Sequence, residues 1–341
     1  MLNKQKKKYM KPGEFILVIL FFLFVLGILY YIFFTPNYYD KESPVKFEIK
    51  RGEPLSSVIE RLYEEEIIPS RLNMRIASFI YGAERRVRAA RYSIPNGLSY
   101  LDLLELFLKG DADFLKSIKI FDGMTTEWIA SRMRTDLLMD STEFMSYVKN
   151  DSLTALINPE LKSLEGYLLP MEYYFYENSS PVEVLGAFIE EFNKFVKDSL
   201  KRKADEPGYS LNEVITVASI IEGETNNTEE MPLIAGVYYN RLQNGMRLQA
   251  DPTIQYILKE WRRLTFKDLM IDSPFNTYKY SGLPPHPINN PGKNAIRAAF
   301  YPAKHKYLYF VADTLGGHKF SETFAEHTRN AGVYRKWLDG Q

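Results

Sequence analysis

An uninterrupted apolar segment near the N-terminus is the strongest constraint on how this chain can fold. Residues 15–34 carry no charge, and twenty such residues match the length of a helix that crosses a lipid bilayer. A cleaved signal peptide is the alternative, but its apolar core is normally about 7–15 residues long and a small-residue cleavage site follows it. The sequence Phe34-Thr35-Pro36-Asn37 offers no such site. We therefore predict a transmembrane helix at residues 15–34.

Charges on the two sides of this segment predict its orientation. Positive residues are retained on the cytoplasmic side of a membrane. Here lysines precede the segment and acidic residues follow it; they are Lys4, Lys6, Lys7, Lys8 and Lys11 before it, and Asp40 and Glu42 after it. We predict that residues 1–14 are a cytoplasmic tail and that everything after Tyr38 lies outside the cytoplasmic membrane.

The composition excludes several kinds of chemistry. The 43 lysines and arginines are balanced by 43 acidic residues, so the chain lacks the cationic field with which proteins bind nucleic acid, and we predict no nucleic-acid partner. It has no cysteine, which excludes disulfides, thiolate metal ligands and a cysteine nucleophile. Its histidines show no metal-ligand spacing, so we predict neither a metal site nor a cofactor. They are His286, His305, His318 and His327.

Apolar patterns after the anchor predict an α+β fold. Residues 45–49 alternate as in a strand, and after a turn apolar side chains recur at helical spacing over residues 55–62. Similar strand-turn-helix units are indicated at residues 90–108, where Ser99 begins a capping box, and at residues 118–133. The units are either a repeated module or the ordinary building blocks of an α+β domain.

Patterns in the middle and at the end of the chain are less regular. Residues 161–176 are rich in tyrosine and include a glycine and a proline, which predicts irregular structure. Apolar residues spaced three and four apart predict a long amphipathic helix over residues 181–203. The chain is predicted to end in a strand at residues 307–311 and a polar segment.

One carboxyl group falls within a helix that is otherwise apolar. Ser210 and Glu213 have capping-box spacing, so a mostly buried helix is predicted to begin at Ser210. Glu222 projects from a largely apolar face of that helix, where burial should raise its pKa. A carboxyl that keeps its proton near neutral pH can protonate a glycosidic oxygen. The helix pattern leaves open a structural alternative, in which the carboxylate pairs with a buried arginine or caps a helix.

A second glutamate, Glu224, follows two residues later. Residues two apart on a helix point about 200° away from each other, so both carboxyls could face one substrate only if the helix broke near Gly223. We predict that Glu224 holds the local structure or binds substrate.

Several sequence blocks resemble one known family in the same order. They are residues 217–225, 237–242, 246–253, 275–278, 282–285, 290–292, 307–311 and 316–318, with an upstream extension at residues 164–170. Together these blocks span most of residues 211–330 and resemble the MltG (YceG-like) family of membrane-bound endolytic murein transglycosylases.

The resemblance implies a fold and a function. It implies a transmembrane helix, a small LysM-like α/β module at residues 45–110 and a larger α+β YceG-like catalytic domain at residues 115–341. It implies Glu222 as the catalytic residue, because the family's catalytic glutamate is the first glutamate of the block Ile221-Glu222-Gly223-Glu224. The expected reaction cuts the bond between N-acetylmuramic acid and N-acetylglucosamine within a glycan strand and leaves a 1,6-anhydro end. Peptidoglycan strands, the cytoplasmic membrane and wall synthases are the partners it implies.

Residues in the flanking blocks could hold the sugar. With Glu224, we predict substrate contacts for Gln249, Asp251, Asn276 and Tyr278, since amide, carboxyl and phenol groups suit a sugar's hydroxyls and its C–H surface. Asp251 equally fits a helix start, as the cap before a proline in the first turn.

Two positions depart from the family pattern. Asp122 stands in the block Ile120-Phe121-Asp122-Gly123, where a proline-glutamate-glycine turn is usual, and His286 follows two prolines where glycine is common. We expect neither residue to touch Glu222. His286 leaves the shape of its loop open.

Two other functions stay open at the level of sequence. A muramidase that uses water normally needs a second carboxylate about 5–9.5 Å from the first, for which Glu165, Glu224 and Asp251 are candidates. A non-catalytic wall-binding scaffold would bind glycan through the LysM-like part. The intact block around Glu222 argues against the scaffold.

Overall fold

The computed structural model of the chain describes residues 11–84, 86–110, 112–200 and 208–340. Most of the predicted cytoplasmic tail, with four of its lysines, lies outside these ranges. The chain divides into two compact units, Met1–Leu115 and Lys116–Gln341.

A long apolar helix, α1 (Pro12–Phe34), opens the first unit. It begins three residues before the predicted span because proline suits the first turn of a helix and Glu14 accepts a hydrogen bond from the Lys11 N–H at 3.0 Å. Nearly all of its large apolar side chains are exposed. Such a surface is poorly solvated by water, so α1 fits a single-pass membrane anchor.

The rest of the first unit combines a small sheet with three helices. Strands β1 (Val45–Ile49) and β2 (Ala90–Ile94) pair antiparallel. Helices α2 (Leu55–Glu64) and α3 (Arg71–Tyr81) connect them, and α4 (Tyr100–Lys109) follows. Their inward side chains share one hydrophobic core.

Local signals account for these elements. Phe47 and Ile49 are buried while Lys46 is exposed, which is the predicted strand alternation. Ser99 accepts a hydrogen bond from the Asp102 N–H at 3.1 Å, and the Asp102 carboxylate accepts one from the Ser99 N–H at 3.0 Å. The predicted capping box is therefore confirmed.

The second unit begins with a two-stranded sheet of β3 (Leu115–Lys119) and β4 (Glu172–Tyr176). The prediction of irregular structure over residues 161–176 is wrong for the last five residues, which are β4. Tyr173 and Phe175 both point inward and pack against Phe188, so tertiary packing stabilises a strand that the turn residues had obscured.

Four helices accompany this sheet. They are α5 (Thr126–Leu137), α6 (Ser141–Val148), α7 (Asp151–Thr154) and α8 (Pro181–Leu200). Helix α8 confirms the predicted amphipathic helix as far as residue 200, and residues 201–207 lie outside the described ranges.

A buried helix, α9 (Leu211–Glu224), forms the centre of the remaining part. Its predicted start is confirmed, since Ser210 and Glu213 exchange capping-box hydrogen bonds. Every residue from 214 to 221 is buried, against helices that pack on several sides. These are α10 (Met231–Gln243), α11 (Asp251–Leu258) and α12 (Lys293–Phe300).

The chain ends in β5 (Tyr309–Ala312), β6 (His318–Ser321) and α13 (Phe324–Leu338), with β5 antiparallel to β6. The expected polar segment after the strand folds into β6 and α13, two elements that the sequence analysis did not predict. Helix α13 has no buried residue, so it lacks the apolar periodicity that would have revealed it. The observed mixed α/β architecture with small sheets confirms the α+β prediction in its coarse form.

Candidate active site

Glu222 lies in the last turn of α9, where the helix leaves the core. Ile220 and Ile221 before it are fully buried, whereas Glu222 is partly exposed. Gly292, the N-cap of α12, donates its backbone N–H to Oε2 of Glu222 at 2.9 Å. This bond joins residues 70 positions apart and places the carboxyl at the positive end of a helix.

The surroundings of Glu222 shift its acidity toward neutrality. Burial raises the pKa of Glu222 to about 7, the Gly292 N–H lowers it in part, and the nearby Asp122 carboxylate raises it further. A carboxyl with a pKa near the working pH can both donate and accept a proton. Glu222 therefore meets the electrostatic requirement for general acid and base catalysis.

Asp122 lies close enough to Glu222 for its charge to raise the Glu222 pKa, an influence that the sequence analysis did not predict. A Cβ added to Gly292 would lie 2.5 Å from Cγ of Asp122, and one added to Gly123 would lie 3.5 Å from Cγ of Glu222. Burial raises the pKa of Asp122, and Lys119 lowers it in part. The one sequence signal was the resemblance to a family that usually has a glutamate in this turn, and no local pattern placed Asp122 near Glu222.

Backbone pairing holds the Asp122 turn against the segment before α12. Gly123 N–H donates to the Asn290 carbonyl, and Asn290 N–H donates to the Met124 carbonyl, both at 2.9 Å. Gly123 has a φ of 77°, which a residue with a side chain rarely adopts. The turn thus needs glycine next to Asp122, and it delivers the carboxyl to Gly292.

The fully buried amide of Asn290 ties three segments together. Its Oδ1 accepts from the N–H groups of Gly166 and Leu168, at 3.0 and 2.9 Å. Its Nδ2 donates to the Met124 carbonyl at 3.0 Å and to Glu165 at 3.1 Å. The sequence analysis included residues 290–292 only as a block that resembles the family, and it missed the role of the amide.

Glu165 is a buried carboxyl that lies against the Asn290 amide. Both of its oxygens accept from the Thr126 N–H at the start of α5, at 3.1 Å each. Burial raises its pKa to about 8, and the bonds from Thr126 lower it in part. Glu165 is buried, with 4% of its surface exposed, so its carboxyl is not accessible to a substrate.

Glu224 occupies a separate site because α9 continues without a break through Gly223. The Tyr238 hydroxyl donates to Oε1 of Glu224 at 2.5 Å. Burial raises the pKa of Glu224 to about 7, and Asp251 adds to that effect. The contacts of Glu224 therefore differ from those of Glu222, as the helical geometry predicted.

Asp251 and Tyr278 lie near Glu224 rather than Glu222. The Tyr278 hydroxyl donates to Oδ1 of Asp251. Asp251 is the first residue of α11, and Ala250 is the N-cap, which corrects the predicted cap while confirming a helix start. Both side chains keep part of their surface accessible.

The other two predicted substrate residues differ in exposure. Gln249 has an exposed side chain and a φ of 49°, in the left-handed region. Asn276 is fully buried, and its Nδ2 donates to two backbone carbonyls while its Oδ1 accepts from two backbone N–H groups. The Asn276 side chain thus folds its loop, which does not support a sugar contact there.

The His286 departure contributes packing. Its ring lies 4.7 Å from the Phe275 ring, and Nδ1 lies 2.7 Å from the Pro287 carbonyl oxygen. Burial lowers the pKa of His286, which favours the neutral ring, and the contact with the Pro287 carbonyl offsets part of this effect. Within the described part of the chain, no three histidine, aspartate or glutamate side chains come together as metal ligands would.

Comparisons with known proteins agree with these features. The model of the YceG-like family matches residues 47–332. The endolytic murein transglycosylase of Bacillus subtilis strain 168 is 31% identical over 306 residues, which cover 85% of this chain and 84% of that protein. The protein of the same name from Streptococcus pneumoniae strain D39 is 30% identical, over 72% of this chain and 50% of its own length.

A solved structure is similar as well. The crystal structure of a YceG-like protein from Listeria monocytogenes superposes with a TM-score of 0.57 at 28% identity, over 85% of this chain and 99% of that one. The family match at residues 47–332 includes parts of both compact units, with Asp122, Glu222 and Gly292 among its residues. The chain belongs to the YceG-like family.

Proposed function

We propose that this protein is a membrane-anchored endolytic transglycosylase that cleaves peptidoglycan glycan strands during cell-wall assembly, with Glu222 as its acid and base. The name of the relatives, endolytic murein transglycosylase, supports the substrate class. The observation that carries the catalytic assignment is a carboxyl with a pKa of about 7 at the accessible end of a buried helix. No cofactor is needed for this chemistry.

The reaction has two proton transfers through one residue. Protonated Glu222 donates its proton to the oxygen between N-acetylmuramic acid and N-acetylglucosamine, and the bond from the muramyl C1 to that oxygen breaks. The Glu222 carboxylate then accepts the proton of the muramyl 6-hydroxyl, whose oxygen bonds to C1 and closes the 1,6-anhydro ring. No water is consumed, because the nucleophile is the 6-hydroxyl of the substrate itself.

Two neighbours of Glu222 act in opposite directions during this cycle. The Gly292 N–H stabilises the carboxylate that forms when the proton leaves. The negative charge of Asp122 favours the protonated form before the reaction starts. We assign Asp122 the role of a positioning residue that keeps Glu222 ready to donate.

A hydrolytic muramidase is the second candidate, since Asp122 supplies a second carboxyl beside Glu222. The residues that the sequence offered for this role are placed elsewhere. Glu165 accepts a hydrogen bond from Asn290, and Glu224 accepts one from Tyr238. Asp251 accepts one from Tyr278. The muramidase hypothesis therefore depends on Asp122 as the second carboxylate.

Product analysis decides between the two reactions. Purified full-length protein in detergent is incubated with sacculi, and the new strand ends are identified by mass spectrometry. We expect 1,6-anhydro-N-acetylmuramic acid ends that resist borohydride, and early fragments of many lengths. Reducing ends would assign hydrolysis. The absence of products from protein that still binds sacculi would favour the scaffold.

The orientation of the anchor is a further proposal, with the bulk of the chain outside the cytoplasmic membrane. The exposed apolar surface of α1 and the lysines before it support this arrangement. An alkaline phosphatase fused after Gln341 is expected to be active, and a reporter that matures only in the cytoplasm is expected to stay dark. The reverse pair of results would contradict it.

A LysM-like, glycan-binding role for residues 45–110 is also proposed. The compact unit of β1, α2, α3 and β2 supports it, together with a groove that Leu55, Ile76 and the 71% exposed Phe79 line. Phe79→Ser is expected to weaken retention of the Glu222→Gln protein on insoluble peptidoglycan, whereas Leu138→Ser, at an exposed leucine of the other unit, should not. Equal retention of both variants would count against the role.

Wall synthases are proposed as partners on the family resemblance alone. Photo-crosslinking of the full chain in cells, followed by identification of the captured proteins, tests this. Capture limited to proteins without a role in wall synthesis would contradict it.

A further inference from the structure

An open pocket lies between α5 and α11. Its empty volume is about 470 Å³, part of it open to solvent. Aromatic and apolar side chains form much of its lining, and polar side chains form the rest. The lining residues that matter here are Trp128, Pro252, Tyr256 and Trp261, with Gln255 and Lys259 as polar members.

Two chain segments connect the lining of the pocket with the surroundings of Glu222. Gly223, the next residue of α9, faces the pocket wall, since an added Cβ would lie 2.6 Å from Cβ of Pro252 and 3.8 Å from Cη2 of Trp261. Gly123 lies near Cγ of Glu222, and Thr125, two residues later, lines the pocket. A ligand in the pocket would therefore contact residues that pack against the chain neighbours of Glu222.

Two of the three tryptophans of the chain line this pocket and remain exposed to solvent. Trp128 is 52% exposed and Trp261 is 49% exposed. Folding leaves about half of each indole in contact with water, so its burial contributes only part of the possible hydrophobic stabilisation. The exposed faces can cover the C–H face of a sugar ring and remove it from water. The third tryptophan, Trp337, lies in α13 and does not line the pocket.

Polar groups of the lining suit an N-acetylated sugar. The Gln255 amide and the Lys259 ammonium can donate hydrogen bonds to an acetyl oxygen or a hydroxyl. Lys259 lies 3.5 Å from Glu127, in an exposed ion pair that a ligand could replace at little cost. A mostly apolar lining with a few polar groups is typical of small-ligand sites.

We propose that this pocket is a subsite that holds one N-acetylated pyranose ring of the glycan strand, stacked on Trp128 and Trp261, beside the bond that Glu222 cleaves. The subsite deepens the proposed function and rests on it for the identity of the ligand. Its role is to place the strand so that the glycosidic oxygen reaches the carboxyl.

Binding measured apart from cleavage tests the subsite. The full-length Glu222→Gln protein, which cannot turn over, is titrated in detergent with peptide-free glycan strands while indole fluorescence is followed. Saturable fluorescence change is expected. Trp128→Ala and Trp261→Ala should each raise the Kd roughly tenfold, the size of one lost stacking contact. Trp337→Phe is the matched control and should leave the Kd unchanged.

Conservative variants separate stacking from folding. Trp128→Phe and Trp261→Phe keep an aromatic face, so they should bind more tightly than the alanine variants. With Glu222 intact, the alanine variants should raise KM more than they lower kcat. A Kd within twofold of the parent for both alanine variants would overturn the subsite.

The outcome for the subsite is distinguishable from that for the proposed function. If both alanine variants cleave glycan strands with the parent's KM, the subsite is refuted and the transglycosylase stands. If the protein with Glu222 intact cleaves nothing while tryptophan-dependent binding persists, the activity is refuted and the pocket remains a sugar-binding site.

Discussion

Replacement of Glu222 by glutamine is expected to stabilise the protein at alkaline pH while it removes most of the activity. Burial raises the pKa of Glu222 to about 7 in the folded protein, compared with 4.5 for an exposed glutamate. The folded state therefore binds the proton more tightly, and stability falls as the pH rises between these two values. Above the folded pKa, the buried charge lowers the free energy of unfolding by roughly 3 kcal/mol at most, since one pH unit corresponds to about 1.4 kcal/mol. Solvent screening of the accessible part of the side chain reduces this figure.

Glutamine has no such cost because it is neutral at every pH and its amide oxygen can still accept the Gly292 N–H. The thermal midpoints of Glu222→Gln and the parent should agree near pH 4.5 and below, and the variant should lie several degrees higher at about pH 8. Activity should fall roughly 10²–10⁴-fold, the usual contribution of a general acid. Glu229→Gln, at an exposed glutamate, is the control and should change neither quantity.

Circular dichroism melts of the full chain in detergent, paired with cleavage of sacculi, provide both measurements. A lower midpoint for Glu222→Gln at both pH values, together with lost activity, would assign Glu222 a structural role. Identical midpoints at alkaline pH would refute burial as the cause of its high pKa.

Three further substitutions test the surroundings of Glu222. Asp122→Asn removes a charge that raises the Glu222 pKa, so the alkaline limb of the kcat/KM profile should move to lower pH; an unmoved limb would exclude that coupling. Glu224→Gln should retain more activity in the sacculus assay than Glu222→Gln, and equal losses would revive a carboxylate pair. Asn290→Ala should lower the free energy of unfolding, measured in urea, by roughly 2–4 kcal/mol, because two buried N–H groups lose their acceptor. It should also lower kcat, because Gly292 is then no longer held against Glu222. A stable but inactive Asn290→Ala protein would instead place the amide in direct contact with substrate.

The sequence by itself determined the apolar N-terminal helix, the ends of several helices and the burial of Glu222. Capping boxes and helical periodicity act over three or four residues, so Ser99 and Ser210 mark helix starts without reference to the rest of the chain. The apolar run before Glu222 required a buried helix, and the direction of its pKa shift followed from that burial.

Only the tertiary structure decided which groups surround that carboxyl. The Gly292 N–H comes from 70 positions later in the chain, and Asp122 comes from a turn far earlier, so no local pattern could show that both meet Glu222. Their meeting depends on the packing of α12 along α9 and on the buried Asn290 amide that joins the three segments. Such contacts are set by the complementary shapes and hydrogen bonds of distant segments, which become adjacent only when the core forms.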